Sequence, residues 1–555
     1  MRVLFIDVGK KEYRVRIIEH PRIKGALDLG IYLHLEEYRS YNYGIFDPEN
    51  VVVFGSGNLN YGGTNRGIAV FRSPLHGGLH SSTIGDLGEY LKIAGYDAIV
   101  IEGKSEKEVL VIINDDVVLF MEDNIPEDIF EKEKELYNKL KEVYGNKRFR
   151  VVLVGLGSKY TKYGVLVSSK PGKEGIVPSV AGRGGAGSVL YRAHNVVGIV
   201  IGGSKNVKIE QYDIKKVMEA TKKYREAGTF YANYPHLKDT APILNWSIFY
   251  LDKGKRMELY KKFIEGVLLK DYRFENETCG EKCVAVCKKV EKNVKLDYEP
   301  VNGLGPFIGI FNRDLIRELI HLTDKYGLDA IYLGYILGLV MEALDKGLIK
   351  LEDLGLREKP ILDAIEYDKD YSSTNYRIAL ELIRKIVNGE LEILGENIRK
   401  IAKEFNIQDL AFYIPLGEEF DMTPNFYWSL GLFLPIIMHG KYFSHYGTVV
   451  QPPEEYAKVC ADRTLKEYVL DNLGVCRFHR AWVETYIINQ EMIENAKYWI
   501  RKLFEYKEKA NAKPVFWESV RVIDVVKALF REFNQEYDPK DYWERWKKVY
   551  EEYFS

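Results

Sequence analysis

Cysteine is scarce, with five in 555 residues, too few and too unevenly spread for a disulfide framework. Long apolar runs are missing as well. The most hydrophobic helical stretch, Ala330 to Leu344, falls short of the ~20 residues a bilayer demands and carries Glu342, so no membrane association is expected. The opening Met1-Arg-Val-Leu-Phe-Ile-Asp alternates like a strand and lacks the apolar block and small-residue cleavage site of a signal peptide, which makes a cytoplasmic location the expectation. Excess charge of either sign is also absent: 79 basic side chains face 81 acidic ones, so no global field draws in nucleic acid or a membrane. Partners must be recognised locally. Neither a 20- to 50-residue repeat nor a low-complexity linker interrupts the chain.

What is present is enough apolar material for several cores. Hydrophobic residues make up 46% and charged residues 29%, and the length implies two or three closely packed domains with room for a large buried cofactor. Abundant Lys, Glu and Tyr with little Gln lean towards a thermophile with surface ion pairs. Short Val/Ile strands punctuated by Gly fill residues 1–205, with alternation at Val51–Phe54, Ala98–Ile101, Val109–Ile112 and Val151–Val154. From Asp213 apolar residues fall at three- and four-residue spacing, over 213–272 and 312–405, and Lys/Glu-rich amphipathic helices follow from about 488. The expected fold is α+β: a β-rich N-terminal domain (1–205), a helical domain (206–405) and a helical C-terminal domain (406–555).

Four of the cysteines form one set. Cys279, Cys283 and Cys287 stand at four-residue steps, which on a helical turn would put three thiols on one face, and Cys476 is the natural fourth ligand. Thiolates are what an iron–sulfur cluster needs, with Lys282, Lys288 and Lys289 nearby to offset its charge. Ordinary buried thiols and zinc are competing readings, although zinc hairpins more usually have two-residue spacers. Radical enzymes also share part of the pattern, but their last spacer is usually two residues. Cys460 has no partner at a sensible spacing and is expected in a core.

One short motif occurs twice: Asp324-Lys-Tyr-Gly327-Leu328-Asp329 and Asp471-Asn-Leu-Gly474-Val475-Cys476. A pterin presents an amine and a ring N–H along one flat edge, and a single carboxylate can accept both, so two pterins call for two aspartates. The glycines let the backbone approach closely. A helix C-terminus with a left-handed glycine cap is the competing reading of each copy. The paired motif, with the Thr278–Lys289 cysteine segment upstream, resembles the aldehyde:ferredoxin oxidoreductase family of tungsten enzymes. Arg72-Ser-Pro-Leu75, Gly85-Asp-Leu-Gly88, Gly95–Gly103 and Ala181–Gly187 look like that family's N-terminal domain, so the likeness runs the length of the chain. Arg66, Ser73, Pro74 and the cysteine segment look most similar to its glyceraldehyde-3-phosphate and broad-specificity branches, and the modest length favours the latter.

The resemblance implies a bis-pterin tungsten centre, a [4Fe–4S] cluster held by Cys279, Cys283, Cys287 and Cys476, and Mg²⁺ bridging the pterin phosphates through backbone carbonyls. It places Asp324, Gly327, Leu328, Asp329, Asp471, Gly474 and Val475 against the pterins. Arg66, Lys441 and the turns at Ser82-Thr83 and Val180–Gly184, including Gly182 and Arg183, fall near the phosphates. Ser82 and Ser179 depart from the family's Asn and Arg. Glu299 matches the acidic residue beside the metal and suits a general base or acid. His439 matches an imidazole near the metal, with Tyr442 and His445 as substitutes, and His479 could tune the cluster from outside. Glu318 and His321, three apart on one helix face, are read as an exposed pair rather than a metal site.

The activity implied is oxidation of a small aldehyde to a carboxylate, with electrons leaving for ferredoxin or a small polyferredoxin-like subunit docked on Lys282, Lys288 and Lys289. A phosphate-specific glyceraldehyde enzyme is the near alternative. A non-catalytic iron–sulfur protein is the distant one, predicting iron without pterin.

Overall fold

The computed structural model describes the chain except for residues 58–64, 172–175, 208–212, 280–282, 366 and 436–448. Two six-stranded sheets carry the N-terminal third. The first contains β1 (Arg2–Asp7), β2 (Glu12–Ile17), β3 (Val52–Ser56), β4 (Gly67–Arg72), β5 (Leu79–Ile84) and β6 (Ala98–Glu102), in the order β2-β1-β6-β3-β4-β5. The second contains β7 (Val109–Asn114), β8 (Val117–Glu122), β9 (Arg148–Leu153), β10 (Leu166–Pro171), β11 (Ile176–Ala181) and β12 (Val196–Gly203), in the order β8-β7-β12-β9-β10-β11. Adding six to each strand of the first sheet reproduces the second. Each sheet has one parallel pair, β1 with β6 and β7 with β12, and is otherwise antiparallel. The domain is therefore a topological duplication.

The four segments expected as strands are β3, β6, β7 and β9. Their period of two sorts the side chains into layers. Leu4, Ile6, Val52, Phe54, Ile99 and Ile101 join the residues of the second sheet in one core. Their neighbours Val3, Phe5, Val53 and Val100 face the other way, into the core of the helical part. The inner strands β1, β6, β3 and β4 are thus buried on both faces, which explains their near-continuous apolar runs, whereas the edge strand β2 (Glu12–Ile17) is exposed and charged.

Beyond residue 213 the chain is mainly helical. Helices Arg313–Tyr326 and Ala330–Asp345 run in sequence, the second buried nearly all round, and Pro453–Asn472 packs on Pro539–Phe554. Cys460 is fully buried on Pro453–Asn472, as a core residue. Asp28 ties that helix to the N-terminal domain: its buried carboxylate accepts hydrogen bonds from Tyr468 Oη at 2.6 Å and Asn472 Nδ2 at 2.9 Å. Among the described residues no helix is long and apolar enough to cross a membrane.

Candidate cofactor site on the duplicated sheets

Both copies of the Asp-x-x-Gly motif end a helix. Gly327 (φ +67°) follows Arg313–Tyr326 and Gly474 (φ +71°) follows Pro453–Asn472, each in the left-handed conformation that glycine adopts most cheaply. The next residue reaches back in each case, Leu328 N to Thr323 O at 2.9 Å and Val475 N to Leu470 O at 3.0 Å. The glycine-cap reading of the sequence is therefore realised at both copies. It does not compete with a binding role, because the cap is what turns the loop onto the sheets.

The two loops dock at equivalent points of the duplication. Val165 N, just before β10, donates to Gly327 O at 2.9 Å, and Arg66 N, just before β4, donates to Gly474 O at 3.0 Å. A Cβ on Gly155, past the end of β9, would stand 2.4 Å from Tyr326 O; one on Gly57, past the end of β3, would stand 2.0 Å from the Leu473 carbonyl carbon. The same backbone device thus presents two aspartates on two like frames, which is the arrangement a pair of like ligands needs. Asp471 is fully buried and accepts from Ser81 Oγ at 3.2 Å. Asp324 keeps some accessible surface, and its carboxylate has no hydrogen-bond partner among the described residues. Burial raises its pKa to about 6, against the opposing pull of Lys295 and Lys288. An orphaned, enclosed carboxylate fits the donor edge of a pterin.

Arg66, Lys295, Glu299 and Asp324 are all enclosed by the surrounding layers yet each retains some accessible surface. The residues expected near phosphates lie on strands rather than in glycine-rich turns: Ser82 and Thr83 on β5, Val180 on β11. Ladder pairing holds them extended, and by the duplication Ser82 corresponds to Ser179 and Thr83 to Val180. The two strands pack together, with Gly85 N donating to Ser179 Oγ at 3.0 Å. Gly182 follows, and among the described residues a would-be Cβ there meets only Val180 within 4 Å. Arg183 is otherwise engaged. Its guanidinium spans Asp329 (3.2 Å), Asn425 (2.8 Å) and both oxygens of Thr423 (2.7 Å each), so it joins the first loop to the 423–425 segment. Asp329 also caps helix Ala330–Asp345 through Ile331 N and Tyr332 N.

The cysteine trio does not sit on a helical turn. Strands Glu275–Glu277 and Lys288–Glu291 form a hairpin in which Glu277 pairs with Lys288, and the thiols lie in its loop. Hairpin closure, not helix periodicity, brings Cys279 back towards Cys287. Cys476 completes the set: burial and the ionised forms of its three companions raise the thiol pKa of Cys287, and Cys283 behaves alike with Cys279 and Cys476. Among the described residues no three His, Cys, Asp or Glu side chains converge tightly enough for a single ion. Arg66 faces them, with Nη1 3.6 Å from Cys476 Sγ and Nη2 donating to Thr83 O at 3.2 Å. Burial opposes its charge, but Cys476, Cys279 and Cys287 more than offset that and raise its pKa.

Lys288 and Lys289 cannot serve as a docking surface, because both are buried. Lys288 Nζ donates to Pro178 O, and Lys289 Nζ to Arg225 O at 2.6 Å and Val286 O at 3.1 Å. Their ammonium groups satisfy backbone carbonyls, and burial lowers the Lys288 pKa to about 8. Lys282, His439, Lys441, Tyr442 and His445 lie outside the described residues. Glu318 and His321 diverge: the first accepts from Tyr376 Oη at 2.5 Å and the second stacks on Phe130.

Glu299 stands in the first turn of helix Tyr298–Gly303, and Tyr427 Oη donates to its Oε1 at 3.0 Å. Burial is the main cause of its raised pKa, with Asp297 adding to it and Tyr427 opposing. Asn233 Nδ2 holds Tyr427 Oη at 3.1 Å, and Tyr298 Oη holds Phe426 O at 2.6 Å. Sequence reasoning missed Tyr427 and Lys295. Lys295 is 2.5 Å from Asp297 and also feels Asp324 and Cys287, which links the acidic side of the site to the thiols. No local motif marks either residue.

Comparison with known proteins agrees with this construction. Residues 3–203 match the family description "Aldehyde ferredoxin oxidoreductase, N-terminal domain", and 207–500 match "Aldehyde ferredoxin oxidoreductase, domains 2 & 3". The glyceraldehyde-3-phosphate:ferredoxin oxidoreductase of Pyrococcus furiosus is 33% identical, over 90% of this chain and 89% of its own length. The tungsten-containing aldehyde ferredoxin oxidoreductase of Pyrococcus horikoshii is 28% identical, over 71% of this chain and 66% of its own. In fold, the active site complex BamBC of benzoyl coenzyme A reductase superposes with a TM-score of 0.69 at 16% identity, covering 100% of this chain and 98% of that one. The duplicated sheets, the paired aspartate loops and these matches together show that the chain belongs to the aldehyde ferredoxin oxidoreductase family.

Proposed function

We propose that this protein oxidises small aldehydes to carboxylic acids at a bis-pterin tungsten centre and delivers the electrons to ferredoxin or a ferredoxin-like subunit. The observation that carries the reading is the docking of Asp324 and Asp471 at equivalent points of a duplicated sheet, with four cysteines gathered beside the second. When bound, the bis-pterin tungsten group would take up the two electrons of the oxidation and a [4Fe–4S] cluster would release them singly.

In this reading Asp324 and Asp471 each grip one pterin edge, while Gly327 and Gly474 keep the loops close enough to do so. Backbone carbonyls of β5 and β11, at Ser82, Thr83 and Val180, would be the oxygen donors for a Mg²⁺ that neutralises the pterin phosphates. Cys279, Cys283, Cys287 and Cys476 hold the cluster, and Arg66 offsets its charge. Glu299 relays the proton lost as the hydrated carbonyl becomes a carboxylate. Its raised pKa brings it nearer the working pH, and the Tyr427 hydrogen bond holds its Oε1 in place. His439 and Lys441 remain the proposed imidazole and phosphate ligands. Over the cysteine wall, Tyr224 is close enough to feel Cys476 and Cys287, and the exposed Lys222 and Lys223 beside it are placed to meet an acidic acceptor.

The test is metal and pterin content together with aldehyde-dependent reduction of ferredoxin. One tungsten, four irons and a releasable pterin per chain support the reading. Iron alone would favour a plain electron-transfer protein. Glyceraldehyde 3-phosphate is the second substrate reading, favoured by the Pyrococcus furiosus relative whose alignment spans nearly all of both chains. Activity confined to the phosphorylated aldehyde decides for it; activity on unphosphorylated aldehydes decides for the broad reading.

A further inference from the structure

His479, expected from the sequence to tune the cluster from outside, lies three residues beyond Cys476. It closes the short turn Arg477–His479, and helix Arg480–Tyr486 begins immediately after it. That helix places Trp482 beside the imidazole. Trp482 is held by packing against Val217, Leu470, Val475 and Val483, and both it and His479 are buried.

Two contacts settle the tautomer. An indole N–H can only donate, and Trp482 Nε1 lies 3.1 Å from His479 Nδ1. Nδ1 is therefore the acceptor, and in the neutral ring the proton sits on Nε2. His479 Nε2 lies 3.6 Å from Cys283 Sγ, within reach of an N–H···S hydrogen bond. The ring thus has one way to face the sulfur, as a donor.

We propose that Trp482 and His479 form a fixed donor pair that positions one N–H on the Cys283 sulfur and raises the reduction potential of the iron–sulfur cluster. This rests on the reading of Cys279, Cys283, Cys287 and Cys476 as cluster ligands. The electron added on reduction places negative charge largely on the sulfurs, so a donor at a ligand sulfur stabilises the reduced state more than the oxidised one. Arg66 supplies a donor to Cys476 from the N-terminal domain, and His479 supplies another to Cys283 from the C-terminal part. Two of the four proposed ligands thereby each have a donor, one from either end of the chain. Trp482 is a positioning residue: without it the proton is free to move to Nδ1, leaving a lone pair towards the sulfur.

An EPR-monitored redox titration of the cofactor-loaded enzyme tests this, with iron content measured on each variant. His479→Leu is expected to shift the cluster's one-electron equilibrium towards the oxidised state about tenfold, or about 59 mV downward. Trp482→Phe should shift it the same way by less, and His479→Gln, which keeps an amide donor, should recover part of the loss. If His479→Leu loses iron, Trp482→Phe and His479→Gln carry the test, and an unmoved potential in both overturns the proposal. A four-iron His479→Leu protein with the wild-type potential overturns it alone. Wild-type protein without iron overturns the cluster assignment and this proposal together.

Discussion

Replacing Asp324 by Asn should move stability and cofactor retention in opposite directions. In the cofactor-free chain the carboxyl is enclosed and its pKa is raised from 3.8 to about 6, chiefly by burial. A folded-state value above the unfolded one means that this group favours the fold only when protonated, and that this support is lost as pH rises through about 6. Two units correspond to about 3 kcal/mol of destabilisation at pH 7, at about 1.4 kcal/mol per unit. Asn removes that penalty without changing shape. For a chain of 555 residues unfolding as a unit this is a rise of roughly 2–3 °C in Tm, and the gain should vanish by pH 4. In the loaded protein the amide loses one charge-assisted acceptor and turns a donor towards a ring N–H. That loss of about 3 kcal/mol is roughly a hundredfold in pterin retention. Differential scanning calorimetry of apo-protein at pH 7 and pH 4, with tungsten and pterin assays on protein purified under limiting cofactor, reads both. A lower apo Tm at pH 7, or undiminished pterin content, would refute the reasoning.

Tyr427→Phe removes the donor that holds the Glu299 pKa down, so the acid limb of the pH–rate profile should move to higher pH while metal content stays constant. Gly57→Ala and Gly155→Ala collide with the two docked loops, and only the first should strip iron, because only the second Asp-x-x-Gly loop carries a cysteine. Charge reversal at Lys222 and Lys223 should slow ferredoxin reduction several-fold at low salt without slowing a small dye, and equal slowing of both would count against docking there. Arg521→Met takes from the buried Glu342 its guanidinium partner at 2.8 Å and leaves it Lys346 at 3.8 Å and the Asn245 amide; denaturant unfolding should show a loss of about 3 kcal/mol.

The α+β order was legible because periodicity is a local property. Alternation at Val51–Phe54 or Val151–Val154 reads as strand wherever the chain goes, and three- and four-residue spacing reads as helix. The paired aspartates were legible because the motif repeats as a string. Local pattern misled at the cysteines, where four-residue spacing suggested a helical face and a hairpin across Glu277 and Lys288 decided otherwise. It misled again at Lys288 and Lys289: a run of lysines looks like surface until the backbone carbonyls of residues 178 and 225 close over it.

Residue types and their spacing thus supplied the proposed ligand chemistry by themselves: thiolates in a set, carboxylates in a pair, an acidic residue between them. The tertiary structure alone decided where these meet. The matching strand orders of the two sheets, the equivalent docking of Gly327 and Gly474, the Tyr427 bond to Glu299 and the Trp482–His479–Cys283 line all join residues from separate elements, some more than a hundred positions apart. Such contacts arise from packing and hydrogen-bond satisfaction between elements, and a linear pattern carries no record of them.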